Sequence, residues 1–115
     1  MAVTLVMRIP ELDHERYNWM LSSLGLDANP PAGLVLHVAT ESVGAMNVVE
    51  IGQTAQAAEW FVESLLEPAL VAQKVRDPLS YRIEPLHNLW AADFDMIERI
   101  GATSLPAGIR STLAS

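Results

Sequence analysis

The stretch "LVLHVATESVGAMNVVEIG" (34–52) decides the fold. Its first part, "LVLHVATE" (34–41), and its last, "MNVVEIG" (46–52), are rich in apolar and β-branched residues and read as two strands. Only "SVGA" (42–45) lies between them, so an antiparallel hairpin is the natural connection. Upstream, "VTLVMRI" (3–9) alternates Val3, Leu5, Met7 and Ile9 against Thr4, Val6 and Arg8, the period of a strand, and Pro10 closes it. From Asp13 the period lengthens: Tyr17, Met20, Leu21 and Leu24 follow helical spacing, with Asp13 as N-cap and Gly25 as the stop. "DANPPAG" (27–33) is a loop.

Downstream, Thr54 caps a second helix whose apolar stripe is Ala58, Phe61, Val62, Leu65, Leu66 and Ala69, with Trp60 off the stripe. Pro68 is expected to kink or end this helix, because it lacks a backbone donor. After the loop "KVRDPLS" (74–80), "YRIEPLHNL" (81–89) reads as a fourth strand whose Pro85 suits a sheet edge. The order β-α-β-β-α-β makes residues 1–90 an α+β, ferredoxin-like domain with a four-stranded antiparallel sheet. Residues 91–115 are expected as a C-terminal extension: a short helix from Asp93 to Ile100, ended by Gly101, then an arm.

At 115 residues the chain suits one domain with a real core. Half of its residues are hydrophobic and only 18% are charged. Two helices cover one face of a four-stranded sheet, yet both faces carry apolar residues: Val6, Val35, Val49 and Ile51 on one side, Leu5, Leu36 and Val48 on the other. A second copy on the open face meets that demand, so a homodimer is expected. The net charge of −7 argues against nucleic acid, which needs a basic stripe. The opening "MAVTLVMRIP" has no basic leader. No apolar run approaches the roughly 20 residues of a membrane span. The expectation is a cytoplasmic protein with no membrane partner. There is no cysteine, hence no disulfide, thiolate ligand or Cys nucleophile. Two strand histidines fall short of a three-ligand metal set, and there is no Gly-rich phosphate loop, so neither metal nor cofactor is expected.

The strand order, "LHVA" (36–39) and "PLHN" (85–88) together resemble the dimeric α/β-barrel superfamily, in particular small actinobacterial proteins similar to antibiotic biosynthesis monooxygenases. The resemblance spans roughly residues 2–90. It implies a ferredoxin-like dimer and a choice among cofactor-independent monooxygenases acting on polyketide-derived phenols, haem-degrading enzymes, isomerases and cyclases. Relatives often end the third strand in a Trp-Glu-Ser type sequence, where this chain has "IGQT" (51–54). Haem-degrading relatives carry an Asn on the first strand, which here offers only Thr4 and Arg8 as polar side chains, so haem is disfavoured.

His37 and His87 are the candidate proton acceptors, histidine being suited to move a proton near neutral pH. The alternative is that each is a half-buried strand residue bonded to backbone. Asn88 and Trp90 offer donors for an oxyanion, or else end the strand and pack beneath the tail. Tyr17, Trp19, Trp60 and Phe61 suit either a pocket for a planar aromatic or plain core. Glu50 interrupts an apolar strand and can orient a histidine on the neighbouring strand if the hairpin register places both on one face. His14 is expected to be solvated. Taken with the resemblance, these residues lead to the expectation of a cofactor-independent monooxygenase or cyclase/isomerase of polyketide-like metabolism, working through a His-generated enolate or phenolate. The alternative is a non-catalytic dimeric ligand-binding or accessory protein, and an open rather than side-chain-filled pocket separates the two.

Overall fold

The computed structural model describes residues 1–26 and 28–104, with side chains through Ile100. The expected arm over 105–115 lies outside the described residues. The elements are β1 (Val3–Pro10), α1 (His14–Leu24), β2 (Leu34–Ser42), β3 (Ala45–Gly52), α2 (55–72), β4 (Ser80–Pro85) and α3 (Phe94–Ser104). They form one antiparallel sheet in the order β2-β3-β1-β4, with β2 and β4 as edges.

Period-two alternation in β1 becomes burial: Leu5, Met7 and Ile9 are fully buried, while Val6 and Arg8 point the other way. Against this face pack Met20 of α1 and Ala58, Phe61, Val62, Leu66 and Leu70 of α2. Each fully buried side chain of this size contributes about 1.5–3 kcal/mol. The Asp13 side chain accepts the N–H of Arg16, Gly25 closes α1 in the left-handed region, and Thr54 accepts the N–H of Ala57, as their positions in the sequence predict.

Three readings change. Pro68 does not end α2. The helix runs from Ala55–Trp60 into a π-helical stretch, Phe61–Leu66, and on through Glu67–Ala72. The Glu67 N–H donates to the Val62 carbonyl five residues back, and this wider turn absorbs the donor that Pro68 lacks. The fourth strand stops at Pro85 rather than Leu89. Its partner β1 begins at Val3, opposite Pro85, so the ladder has nothing left to pair beyond Leu86, whose N–H donates to Ala2. The last helix does not end at Gly101 but continues to Ser104, with Asp93 accepting the Met96 N–H.

Register fixes which residues share a face. One line across the sheet joins His37, Glu50, Leu5 and Ile83, on the helix-covered side. The next joins Leu36, Ile51, Thr4 and Glu84 on the open side. A bulge between Leu34 and Leu36 resets the alternation of β2, so Leu36 lies with Ile51 and not, as the plain pattern suggests, with Leu5 and Val48.

Candidate functional site

β3 carries a carboxylate where its neighbours on the same face are apolar. Glu50 sits opposite Leu5 and is only 2% exposed. Burying a carboxylate this deeply requires a partner. His37, directly opposite on β2, supplies it: its Nδ1 lies 3.1 Å from Glu50 Oε1. The other ring nitrogen, Nε2, is 2.5 Å from the Tyr17 hydroxyl on α1. Tyr17 stands on the α1 stripe that faces the sheet, one turn before Met20 and Leu21, so the helix aims its polar tip at the strand.

Partners dictate the protons. A carboxylate only accepts, so Nδ1–H donates to Glu50, and in the neutral imidazole Nε2 then accepts from the Tyr17 O–H. Burial, reinforced by the negative charge of Glu50, pushes the Tyr17 phenol up to about 12, which keeps the proton on the tyrosine. The order is donor–relay–acceptor: Tyr17, His37, Glu50. The His37 side chain is 24% exposed, so the middle of the relay reaches solvent over about a quarter of its surface.

Beside Glu50 lies a small cavity walled by Leu5, Gly33, Leu34, Gly52, Ala58 and Phe61 among others, with room for about 10 Å³. That is about one water. Its outer wall is a close approach: a Cβ on Gly33 would come 2.8 Å from the Ala57 Cβ, and Gly33 holds φ at +87°. Only glycine fits there.

His87, Asn88 and Trp90 follow the end of β4 and are exposed. β4 is the edge opposite β2, so His37 and His87 of one chain are at least three strand spacings apart, upwards of about 14 Å. Within one chain the structure unites His37 with Tyr17 and Glu50, and not with His87. Phe61 is core and lines the Glu50 cavity. Trp60 is 51% exposed and Trp19 56% exposed. His14 is exposed as expected but also meets Glu41, with its Nδ1 3.3 Å from the carboxylate. Among the described residues no group of three or more His, Cys, Asp or Glu side chains is placed to hold a metal ion, and no helix is long and apolar enough to cross a membrane. Sequence reasoning placed Tyr17 in a ligand pocket or in plain core and missed its bond to His37. The available signal was a hydroxyl-bearing ring on an otherwise apolar stripe, since a buried tyrosine finds a partner for its O–H.

No protein-family model matches the chain, and neither does any curated protein. Solved structures do. NE2512, a protein of unknown function from Nitrosomonas europaea, superposes with a TM-score of 0.59 over 80% of this chain and 96% of its own, at 16% identity. SnoaB, a cofactor-independent oxygenase from Streptomyces nogalater, gives 0.55 over 76% and 95%, at 11% identity. A presumptive antibiotic biosynthesis monooxygenase from Deinococcus radiodurans gives 0.55 over 81% and 99%, at 12% identity. The chain has the ferredoxin-like fold that these antibiotic biosynthesis monooxygenase-like structures share. At such identities the likeness is one of fold, and function rests on the site.

Proposed function

We propose that the protein is a cofactor-independent enzyme that removes a proton from an enolisable polycyclic ketone or phenol of polyketide-like type, and that the resulting anion reacts with O₂. The buried Tyr17–His37–Glu50 relay carries this reading. The substrate proton passes to the Tyr17 oxygen as the tyrosine proton passes to His37 Nε2, and Glu50 offsets the imidazolium charge. The carbanion adds O₂ to give a peroxide anion, which His37 reprotonates through Tyr17. Loss of water then leaves a new carbonyl, so that CH₂ and O₂ become C=O and H₂O. The resemblance of the fold to a cofactor-independent oxygenase supports the same reading. Cyclisation or isomerisation from the same anion would use the same three residues.

We further propose that the working unit is a homodimer joined through the open sheet face. Val6, Leu36, Val38, Val49 and Ile51 share that face, and Val38 and Val49 are 49% and 40% exposed in the single chain. A non-catalytic ligand-binding role is the second reading, favoured by the tightness of the space beside Glu50. Oxygen uptake with 1,8-dihydroxyanthrone separates the two. The wild type should consume O₂ and form the anthraquinone; His37→Gln should lower turnover by about 10²–10⁴ at unchanged melting temperature, and His87→Gln should be silent. A wild type that binds the anthrone without consuming O₂ sinks the enzyme reading and leaves the binding one.

A further inference from the structure

The β-α-β-β-α-β unit is complete at Pro85, yet the chain runs on through Leu89 and Trp90 into α3. Every residue from His87 to Ile100 is exposed in the single chain, Trp90 by 74% and Phe94 by 68%. A helix of only 11 residues is marginal in water unless its apolar side packs on something. α3 has such a side. Phe94 and Ile97 stand one turn apart on it with Met96 at the border, while Asp95, Glu98 and Arg99 take the other side.

Area and charge both point to a second copy of this chain as what covers that side. Four strands about eight residues long present a face of about 500 Å², so two such faces bury roughly 1,000 Å² between them. A stable protein–protein interface takes about 1,200–2,000 Å². Sheet-to-sheet packing alone falls short, and the apolar segment leaving the sheet at its β4 edge supplies the missing surface, with aromatic anchors of the kind that dominate interfaces. The open face also carries Arg8 on β1 and Arg82 opposite Val6 on β4. Arg82 bonds Glu84, but among the described residues Arg8 is in no ion pair, and neither is Glu98 on α3. Covering Arg8 with an apolar sheet would leave its charge unanswered, whereas an acid arriving on a neighbouring helix answers it.

We infer that the segment from Leu89 to Glu98 is a clasp. It packs Trp90, Phe94 and Ile97 on a second copy of this chain at the rim of the open sheet face, with Glu98 against Arg8 of that copy. The inference rests on the proposed homodimer, and one set of measurements tells the two apart. Sedimentation of the full chain over a dilution series gives the dimer Kd. Phe94→Ser combined with Ile97→Ser should raise that Kd at least tenfold. Val71→Ser removes an apolar side chain of α2 that is 74% exposed, and should leave the Kd unchanged. Glu98→Arg and Arg8→Glu should each weaken the dimer several-fold, and the two together should recover most of that loss, which general misfolding would not do. A double-serine variant that dimerises as the wild type does, or no recovery in the charge exchange, would overturn the clasp. So would a lower Tm for the double-serine variant at unchanged dimer Kd, since the helix would then pack on its own chain. The two readings also fail separately. If Val49→Glu yields monomer while the double-serine variant stays dimeric, the sheet contact stands and the clasp fails. If the double-serine variant is monomeric and Val49→Glu stays dimeric, the clasp stands and the sheet contact fails. A wild type that is monomeric at micromolar concentration overturns both.

Discussion

Tyr17→Phe tests the direction of the relay. The phenol is pushed from an ordinary value of 10 to about 12, first by burial and then by the charge of Glu50. Because the folded state holds this proton more tightly than the unfolded chain, the linked stability is fully present below pH 10. It falls as pH rises from 10 to 12 and is gone above that. Two units at about 1.36 kcal/mol each give about 2.7 kcal/mol, and partial exposure of Tyr17 reduces this to about 2 kcal/mol. Urea unfolding of wild type and Tyr17→Phe at half-unit steps from pH 8 to 12 reads it out. The difference in stability between the two should be constant to pH 10 and then close or reverse by about 2 kcal/mol toward pH 12. Absorbance at the tyrosinate band supplies a second measure, since the chain has two tyrosines and subtracting the variant isolates Tyr17. Glu50→Gln should reduce the shift without abolishing it, because burial is the larger cause. A stability difference that stays flat to pH 12, or a Tyr17 signal titrating near 10, would show that the hydroxyl is solvated and not held against His37.

His37→Leu leaves the Glu50 carboxylate buried without its partner and should cost about 3–5 kcal/mol, while adding Glu50→Gln in the same chain should recover part of that loss in chemical denaturation. Recovery of none would mean that the two side chains are not coupled. Val49→Glu places a charge at the centre of the open sheet face and should convert the proposed dimer to monomer without lowering helix content. Wild-type protein sedimenting only as a 12.6 kDa species at micromolar concentration would refute the dimer itself.

Much of the fold was legible because local signals and tertiary demands agree in it. The alternation of Val3, Leu5, Met7 and Ile9 needs no partner to be read, and the sheet buries those four residues. Asp13, Gly25 and Thr54 act within a few residues of themselves, so their caps are visible without knowledge of the rest. What was hidden depends on something distant. Pro68 is accommodated by a change of helical pitch, which no stripe of apolar residues announces. The end of β4 is set by where β1 begins. The face of Leu36 is set by a bulge, and a bulge leaves no trace in hydropathy.

The site shows the same division with more at stake. That Glu50 wants a histidine is written in its position on an apolar strand, but which histidine it gets depends on pairing residue 37 with residue 50. That register excludes His87 from the cluster within one chain, although "HNLW" (87–90) has the richer run of hydrogen-bonding side chains. The proposed relay would give the cluster a reason that packing alone does not. Replacing a buried ion pair by apolar side chains of similar volume is often neutral or stabilising by about 1–4 kcal/mol. Leu5 and Val48 show that the surrounding face takes apolar residues readily. A sheet built only to hold two helices would lose little by carrying leucine at 50 and valine at 37. This one carries a carboxylate, an imidazole and a phenol in hydrogen-bonded sequence, its middle member about a quarter open to solvent. Stability alone is a poor reason for that arrangement, which suits the proposed relay, one that must take up a proton and return it.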